Sequence, residues 1–253
     1  MNTSRLVSSV MGLEVQVNKA ITGDNAFAHS SGIHQDGLLK SRDAYEIINP
    51  KDIGLEDMEL VLTARSGRHA VKATLANLGF TNLSEQEFED IFEQFLVVAD
   101  EKKEVYNHDL FLIVKSYFAE TEAENEAVER FAANFFDLVD LQVISNPQFP
   151  SASVEIKKGN DILKSSAVGT GPVDALYTAI LDIVDMDIEL IEYQISSISR
   201  GKEAQGKVKV TVEHNGEKYT ANAADTDVIK ASAQAYINAV NNIVVENLLL
   251  VEA

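Results

Sequence analysis

Residues 208–227 have the sequence VKVTVEHNGEKYTANAADTD, and this stretch decides the fold of the C-terminal half. Valines at positions 208, 210 and 212 alternate with other residues, which predicts a strand with one buried face. Asn215-Gly216 is a strong signal for a two-residue hairpin turn, so residues 218–223 are expected to form the returning strand. A helix should follow residues 225–227, because apolar side chains then recur at helical spacing. These are Ile229, Ala233, Tyr236 and Val240.

The same order of elements occurs once before in the chain. Residues 139–143 and 154–156 alternate in the same way, and Gly159-Asn160 predicts a hairpin into a strand that ends near residue 168. A helix should then open at Pro172, since the first helical position needs no amide hydrogen. Residues 188–199 supply the first strand of the second set. We therefore predict two βββα units, at about 134–186 and 187–245, packed as a pseudo-twofold pair because neither sheet can bury its apolar face alone.

Residues 1–127 are predicted to be mostly helical. Helices are expected at 67–78 and 109–118, and Ser84 with Glu87 forms a capping box before a third helix. A short strand is expected at 61–65, and the acidic stretch 120–129 is either a linker or the start of a solvated helix. The predicted fold class is therefore α+β, with helical linker subdomains at 1–127 followed by a repeated domain at 128–253.

Composition limits the function. The chain has 253 residues, of which 40 are acidic and 21 basic, giving a formal net charge of −19. Such a charge argues against nucleic acid and against an anionic membrane surface as partners. No apolar run reaches membrane-spanning length, and no secretory signal pattern opens the chain. There is no cysteine, which rules out disulfides and cysteine–zinc sites and fits a cytoplasmic protein.

The histidines do not predict a metal site. Five are present, and none has the H-x-H or H-E-x-x-H spacing, so a complete metal site within this chain is not expected. The polar stretch 28–37, AHSSGIHQDG, is still unusual. Taken by itself it fits a capped helix start with exposed polar groups. The alternative is that His34 transfers protons, since histidine titrates near neutral pH, with Asp36 either orienting it or favouring the helix N-terminus.

Several blocks, in order along nearly the whole chain, resemble the 2-isopropylmalate synthase family. They are NKAI at 18–21, NAFAH at 25–29, SGIHQDG at 31–37, YEIINPKDIG at 45–54, SGRHAV at 66–71, GTGPVDA at 169–175 and TDVIKAS at 226–232. Any one block would be weak evidence, and together they make the resemblance specific.

The resemblance implies an acyltransferase that condenses acetyl-CoA with 2-oxoisovalerate, the committed step of leucine biosynthesis. The family's catalytic barrel holds a divalent metal and is missing here, so we expect a C-terminal fragment that is inactive by itself and has no cofactor of its own. His34 and Tyr45 match family residues that enter the active site of a partner protomer's barrel, which implies a homodimer. For Tyr45 the alternative is packing beside the Asn49-Pro50 turn.

The repeated domain suggests a site for an amino acid. Helix N-termini present free amides that suit a carboxylate, and two such ends meeting between the units could hold one amino acid. The resemblance implies leucine as a feedback effector at this place. The candidates are Gly169, Gly171, Pro172 and Val173 in the first unit, and Ala224, Asp225, Thr226 and Ile229 in the second. For any single one of them, ordinary helix capping is an equally good interpretation.

Two further interpretations stay open. A citramalate synthase would have a similar domain that senses isoleucine, and a stand-alone amino-acid-binding or dimerisation module would have no enzymatic parent. In addition, relatives often carry glycine before the second helix, where this chain has Ala221, Ala223 and Ala224. Because alanine restricts positive-φ backbone, this departure puts the response to leucine in doubt.

Overall fold

The computed structural model describes residues 2–13, 15–16, 18–23, 26, 48, 50–53, 62–102, 104–121, 125–197 and 205–250. The chain divides into two compact units, Met1–Ile113 and Val114–Ala253. This division falls within the helix Asn107–Glu120, whereas the sequence predicts a boundary between residues 127 and 128.

The first unit is helical over most of its described residues. Helix α1 spans Asn2–Met11, a short 3-10 helix spans Pro50–Ile53, α2 spans Arg68–Asn77, α3 spans Glu85–Lys102 and α4 spans Asn107–Glu120. The apolar faces of α2, α3 and the start of α4 are buried, as the helical spacing predicts. The largest of these buried side chains are Leu75, Phe88, Ile91, Phe92, Phe95, Leu110 and Phe111.

Local signals set the ends of these helices. Gly79 follows α2 with a φ of 87°, a conformation that glycine adopts without strain. Before α3, the Ser84 N–H donates to Glu87 Oε2 at 2.7 Å, and the Glu87 N–H donates to Ser84 Oγ at 3.3 Å. The predicted capping box is therefore confirmed. Its hydrogen bonds from Ser84 hold the pKa of the Glu87 carboxyl below its ordinary value.

The prediction of a short strand at 61–65 is wrong. Among its described residues, Leu62 forms only an isolated antiparallel bridge with Val105. The chain then turns, because the Thr63 N–H donates to Ser66 Oγ at 2.9 Å and the Ser66 N–H donates to the Thr63 carbonyl at 2.8 Å. Short hydroxyl side chains offer the backbone this local alternative to a strand.

The second unit contains the repeated elements. Helix α5 spans Glu126–Asn134 and begins within the acidic stretch 120–129, and the Asn125 side chain accepts from the N–H groups of Ala127 and Val128. The first βββα unit follows, with β1 at Phe136–Ile144, β2 at Ser151–Lys158, β3 at Asp161–Val168 and α6 at Pro172–Val184. The second has β4 at Glu189–Ser197, β5 at Gly206–His214, β6 at Glu217–Asp225 and α7 at Val228–Leu250.

The two βββα units share their topology in detail. Each sheet is antiparallel, with strand orders β1-β2-β3 and β4-β5-β6. The register shifts in the first strand of each sheet, between Leu138 and Asp140 and again between Leu190 and Glu192. A bulge at the same point of both sheets supports a duplicated unit. The α+β fold with paired βββα units is therefore confirmed.

Helix α7 forms the centre of the second unit. It packs on β5 and β6, and it also contacts α6 and β1 of the first βββα unit, whereas α6 packs on β2 and β3. Every residue from 231 to 245 is buried except Gln234. Alanines at 231, 233, 235 and 239 allow this close approach on several sides, since a helix that is buried all round must pack closely. Within the described residues, no helix is both long and apolar enough to cross a membrane.

Ala221, Ala223 and Ala224 do not lie in the turn before the second helix. They belong to β6, where they pair with Val210, Val208 and Lys207 of β5 in extended backbone. The non-glycine residues described with positive φ are Ile21, Asp185 and Asn215. Alanine suits an extended strand better than glycine does, so these three positions need no positive-φ backbone.

Candidate functional site

The loop before α6 packs against the first turn of that helix at Gly169. The Gly169 N–H donates to the Pro150 carbonyl at 3.0 Å. A Cβ atom at this position would lie 2.4 Å from the Ala175 backbone nitrogen and 2.7 Å from Asp174 Oδ2. Only glycine therefore fits the backbone path here, which explains its place in the GTGPVDA stretch.

The carboxylate of Asp174 holds the same loop. Its Oδ2 accepts from the Thr170 backbone N–H at 2.7 Å and from the Thr170 hydroxyl at 3.0 Å. Gly171 is the N-cap residue and supplies no side-chain cap, and Pro172 occupies the first turn. An α-helix has no internal acceptor for its first amides, so the N–H groups of Val173 and Asp174 are the ones that α6 presents at its opening.

The opening of α7 is chemically different. Asp227 Oδ1 accepts from the N–H groups of Ile229 at 2.8 Å and Lys230 at 3.4 Å, so the helix is capped by its own side chain. Asp225 Oδ1 accepts from the Asp227 N–H at 3.0 Å, and Asp225 Oδ2 lies 3.1 Å from Lys230 Nζ. The hydrogen bond from Asp227, followed by the one from Lys230, holds the pKa of Asp225 below its ordinary value. This opening presents carboxylates.

A tyrosine cluster, Tyr177, Tyr193 and Tyr236, joins α6 and α7 in their second and third turns. The Tyr177 hydroxyl donates to the Ser232 carbonyl at 3.3 Å, and its ring stacks on Tyr236 with centroids 4.3 Å apart. Tyr193 of β4 meets Tyr177 edge-on at 6.2 Å, and its hydroxyl lies 2.8 Å from Ser232 Oγ. Because Ser232 Oγ donates its one hydrogen to the Val228 carbonyl, Tyr193 is the donor in that pair.

Burial sets the protonation of this cluster. Removal from water raises the pKa of Tyr177 and of Tyr236, and for Tyr177 the neighbouring Tyr193 and Tyr236 raise the pKa further. Both phenols therefore remain protonated at any physiological pH. The link between the two helices is thus built from neutral hydrogen-bond donors and stacked rings.

An apolar strip on β4 lies beside the cluster. Leu190, Tyr193 and Ile195 pair with Val212, Val210 and Val208 of β5, and directly opposite residues share a face of the sheet. The three valines lie under α7 at 0% exposure, yet Leu190 is 40% and Ile195 51% exposed. Since α7 packs mainly on β5 and β6, none of the described helices covers this part of the face.

The structure accounts for the candidate residues unequally. Gly169, Gly171, Pro172 and Val173 lie together at the opening of α6, and Ala224, Asp225, Thr226 and Ile229 lie together around the opening of α7. The contacts described between the two helices are those of Tyr177 with Ser232 and with Tyr236, in the second and third turns. His34 and Tyr45 fall outside the described residues. No group of three metal-ligating side chains occurs among the residues that are described.

Sequence reasoning missed the residues that join the helices. Tyr177 and Tyr193 were not singled out, and Asp174 and Ser232 were noted only as parts of blocks. The available signal was the presence of polar-tipped aromatic side chains on faces that are otherwise apolar, because a buried tyrosine usually needs a hydrogen-bond partner.

Comparisons with known proteins agree with the architecture. Residues 104–244 match the family described as "LeuA allosteric (dimerisation) domain", and residues 21–103 match the one described as "Homocitrate synthase post-HMGL domain-like". A protein of Geobacillus sp. (strain Y412MC10) named 2-isopropylmalate synthase is 49% identical over 244 residues, which cover 96% of this chain and 46% of the relative. Proteins of the same name from Olsenella uli and Picosynechococcus sp. (strain ATCC 27264 / PCC 7002 / PR-6) are 43% and 45% identical, each over 95% of this chain and covering 45% and 43% of the relative. The predicted resemblance is confirmed, and the chain spans about half the length of the curated relatives it matches.

Proposed function

Because the chain belongs to the LeuA allosteric (dimerisation) domain family, we propose that its second unit binds free leucine and regulates a 2-isopropylmalate synthase. That enzyme is an acyltransferase which joins acetyl-CoA to 2-oxoisovalerate, and leucine acts on it as a feedback effector. The names of the relatives support this reaction, and the geometry of the second unit supports the effector.

The observation that carries the proposal is the difference between the two helix openings. The opening of α6 offers the amides of Val173 and Asp174, with no side-chain cap from Gly171. Such amides, together with the helix dipole, suit the carboxylate of an amino acid. The opening of α7 carries Asp225 and Asp227, and carboxylates there suit an ammonium group. We propose that these two openings hold a zwitterion by its two ends, between the two repeats.

The leucine side chain would lie on the uncovered strip of β4. Ile195 offers apolar surface that none of the described helices covers, beside the ring of Tyr193 and that of its neighbour Tyr177. Apolar walls with a few directed polar groups are the usual composition of a small-molecule site. Binding there would bring α6, α7 and β4 into one contact and would favour one arrangement of the two repeats.

Calorimetric titration with leucine tests the proposal. Saturable binding is expected, together with a rise in Tm, because a ligand that binds only the folded state stabilises it. Isoleucine should bind more weakly by about 1–3 kcal/mol, the usual value of one misplaced methylene. Tighter binding of isoleucine would favour the citramalate synthase alternative, and no binding of either amino acid would refute the effector site.

A pair of neighbouring substitutions locates the apolar wall. Ile195→Gln should weaken leucine binding, since it puts a polar group on the part of the strip that lies opposite Val208, near the opening of α7. Ile191→Gln is the matched control, because Ile191 is similarly exposed at 42% but occupies the bulge of β4. Equal losses of affinity in both variants would argue against this wall.

The catalytic proposal concerns the whole protein, of which this chain is a part. We propose His34 as a proton-transfer residue and Tyr45 as a second active-site residue. Both would act in the active site of a partner protomer's barrel, which supplies the divalent metal. In the whole enzyme, His34→Gln should lower kcat by about 10²–10⁴-fold, and the pH profile should change with it. The chain alone should have no synthase activity, and sedimentation should give a homodimer.

A further inference from the structure

Asn241 of α7 binds the first residue of β1 as another strand would. The Phe136 N–H donates to Asn241 Oδ1 at 2.9 Å, and Asn241 Nδ2 donates to the Phe136 carbonyl at 2.8 Å. Both residues are fully buried, with Asn241 at 0% and Phe136 at 1% exposure. β1 is an edge strand of its sheet, so the asparagine amide satisfies backbone groups that have no strand partner on that side.

Two further asparagines on the same helix make a similar contact inside the second repeat. Asn238 Nδ2 donates to the Asn222 carbonyl at 3.2 Å, and Asn242 Nδ2 donates to the Thr220 carbonyl at 3.1 Å. Both acceptors belong to β6, the edge strand of the sheet on which α7 packs. Asn241 thus differs from its neighbours in joining α7 to the other repeat.

Helix α7 is hydrogen-bonded to the first repeat at two distant points. One is the Ser232 carbonyl, which accepts from Tyr177 of α6 beside the proposed effector site. The other is Asn241, nine residues later and therefore roughly 13 Å along the helix axis. Between them the helix is buried, apart from Gln234, in close-packed surroundings, which makes it a stiff element.

The second point lies where the chain enters the repeats. Phe136 follows α5 after one residue, Phe135, whose N–H caps α5 by donating to the Phe131 carbonyl. A change at the Asn241–Phe136 pair therefore acts where α5 joins the first strand of the repeats.

We propose that Asn241 is a positioning residue that couples leucine binding at the helix openings to the start of β1 through α7. The inference rests on the proposed function, since it takes leucine to bind at the helix openings. Directional hydrogen bonds at two points of a stiff helix cannot both keep their geometry if the helix shifts. Leucine binding beside the first point therefore changes the strength of the pair at Asn241, and by reciprocity the pair changes the affinity for leucine.

Hydrogen exchange on the wild-type chain gives the first test. Exchange in peptides covering residues 126–144 is measured with and without saturating leucine. Slower exchange at Phe136 in the presence of leucine is expected. If calorimetry shows that leucine binds and exchange at Phe136 does not change, the coupling is overturned while the effector site stands. If leucine does not bind at all, the proposed function fails, and the coupling fails with it.

Matched variants separate coupling from stability. Asn241→Ala and Asn242→Ala each remove a buried amide from α7, one between the repeats and one within a repeat. Asn241→Ala should change the leucine Kd by about fivefold or more and remove the effect of leucine on Phe136. Asn242→Ala should leave both the leucine Kd and the effect of leucine on Phe136 unchanged. Equal effects in the two variants would mean a purely structural role, and if Asn241→Ala does not fold, the wild-type measurement still decides.

Discussion

Asp174 Oδ2 binds both the backbone N–H and the hydroxyl of Thr170, at 2.7 Å and 3.0 Å, and so fixes the loop that opens α6. Asp174→Ala should destabilise the compact unit Val114–Ala253 by about 1–2 kcal/mol, because two donors lose their acceptor at a helix start. Urea unfolding measures this loss. Asp174→Asn keeps an acceptor oxygen and should cost less, so an equal loss in both variants would show that the loop depends on charge and not on these bonds.

Gly169 and Gly171 should respond differently to the same added methyl group. At Gly169 the new Cβ would meet the Ala175 backbone nitrogen at 2.4 Å, whereas at Gly171 it would meet no described atom within 4 Å apart from the adjoining residues. Gly169→Ala should therefore cost about 1–3 kcal/mol, the usual range for overpacking. Gly171→Ala should cost less, about 0.5–1 kcal/mol, because its only penalty is that an N-cap prefers glycine to alanine. Thermal unfolding of both variants checks the difference, and a harmless Gly169→Ala would contradict the close approach.

The ring of Tyr236 should matter more than its hydroxyl. It is 1% exposed and stacks on Tyr177 across the two repeats. Tyr236→Ala should cost about 3–5 kcal/mol, the range for removing a large buried side chain. Tyr236→Phe keeps the stack and serves as the control in the same denaturant titration. If the alanine variant were as stable as the phenylalanine variant, the cluster would not hold the repeats together.

Acid should lower the contribution that Asp225, at the opening of α7, makes to the free energy of unfolding. Its pKa is lowered in the folded state, so its contribution to stability is present above its unfolded pKa of about 3.9 and is lost as the pH falls through the lower folded value. The free energy of unfolding at pH 7 and at pH 3 should therefore differ less for Asp225→Asn than for the wild type. An equal pH dependence in both would remove Asp225 as a source of it.

The repeated architecture was predictable because its signals are local. The alternating valines around Val210 and the Asn215-Gly216 turn specify strands and a hairpin without any knowledge of the tertiary structure. Leu62 shows the limit of such signals, because the hydroxyls of Thr63 and Ser66 turn the chain after a single bridge.

The residues that join the repeats were not predictable in the same way. Asn241 lies 105 positions from Phe136 in the sequence, and no spacing rule connects an asparagine within a helix to a strand so distant. Ser232 likewise has its role only because Tyr177 and Tyr193 converge on it in space. Pairings of this kind depend on how the two folded βββα repeats pack against each other.

A leucine titration followed residue by residue in ¹H–¹⁵N correlation spectra tests the central claim most directly. The amides of Val173 and Asp174 should show the largest shifts and should saturate together, since both are expected to bind the carboxylate. Spectra that do not change, or shifts that leave the opening of α6 untouched, would contradict the account.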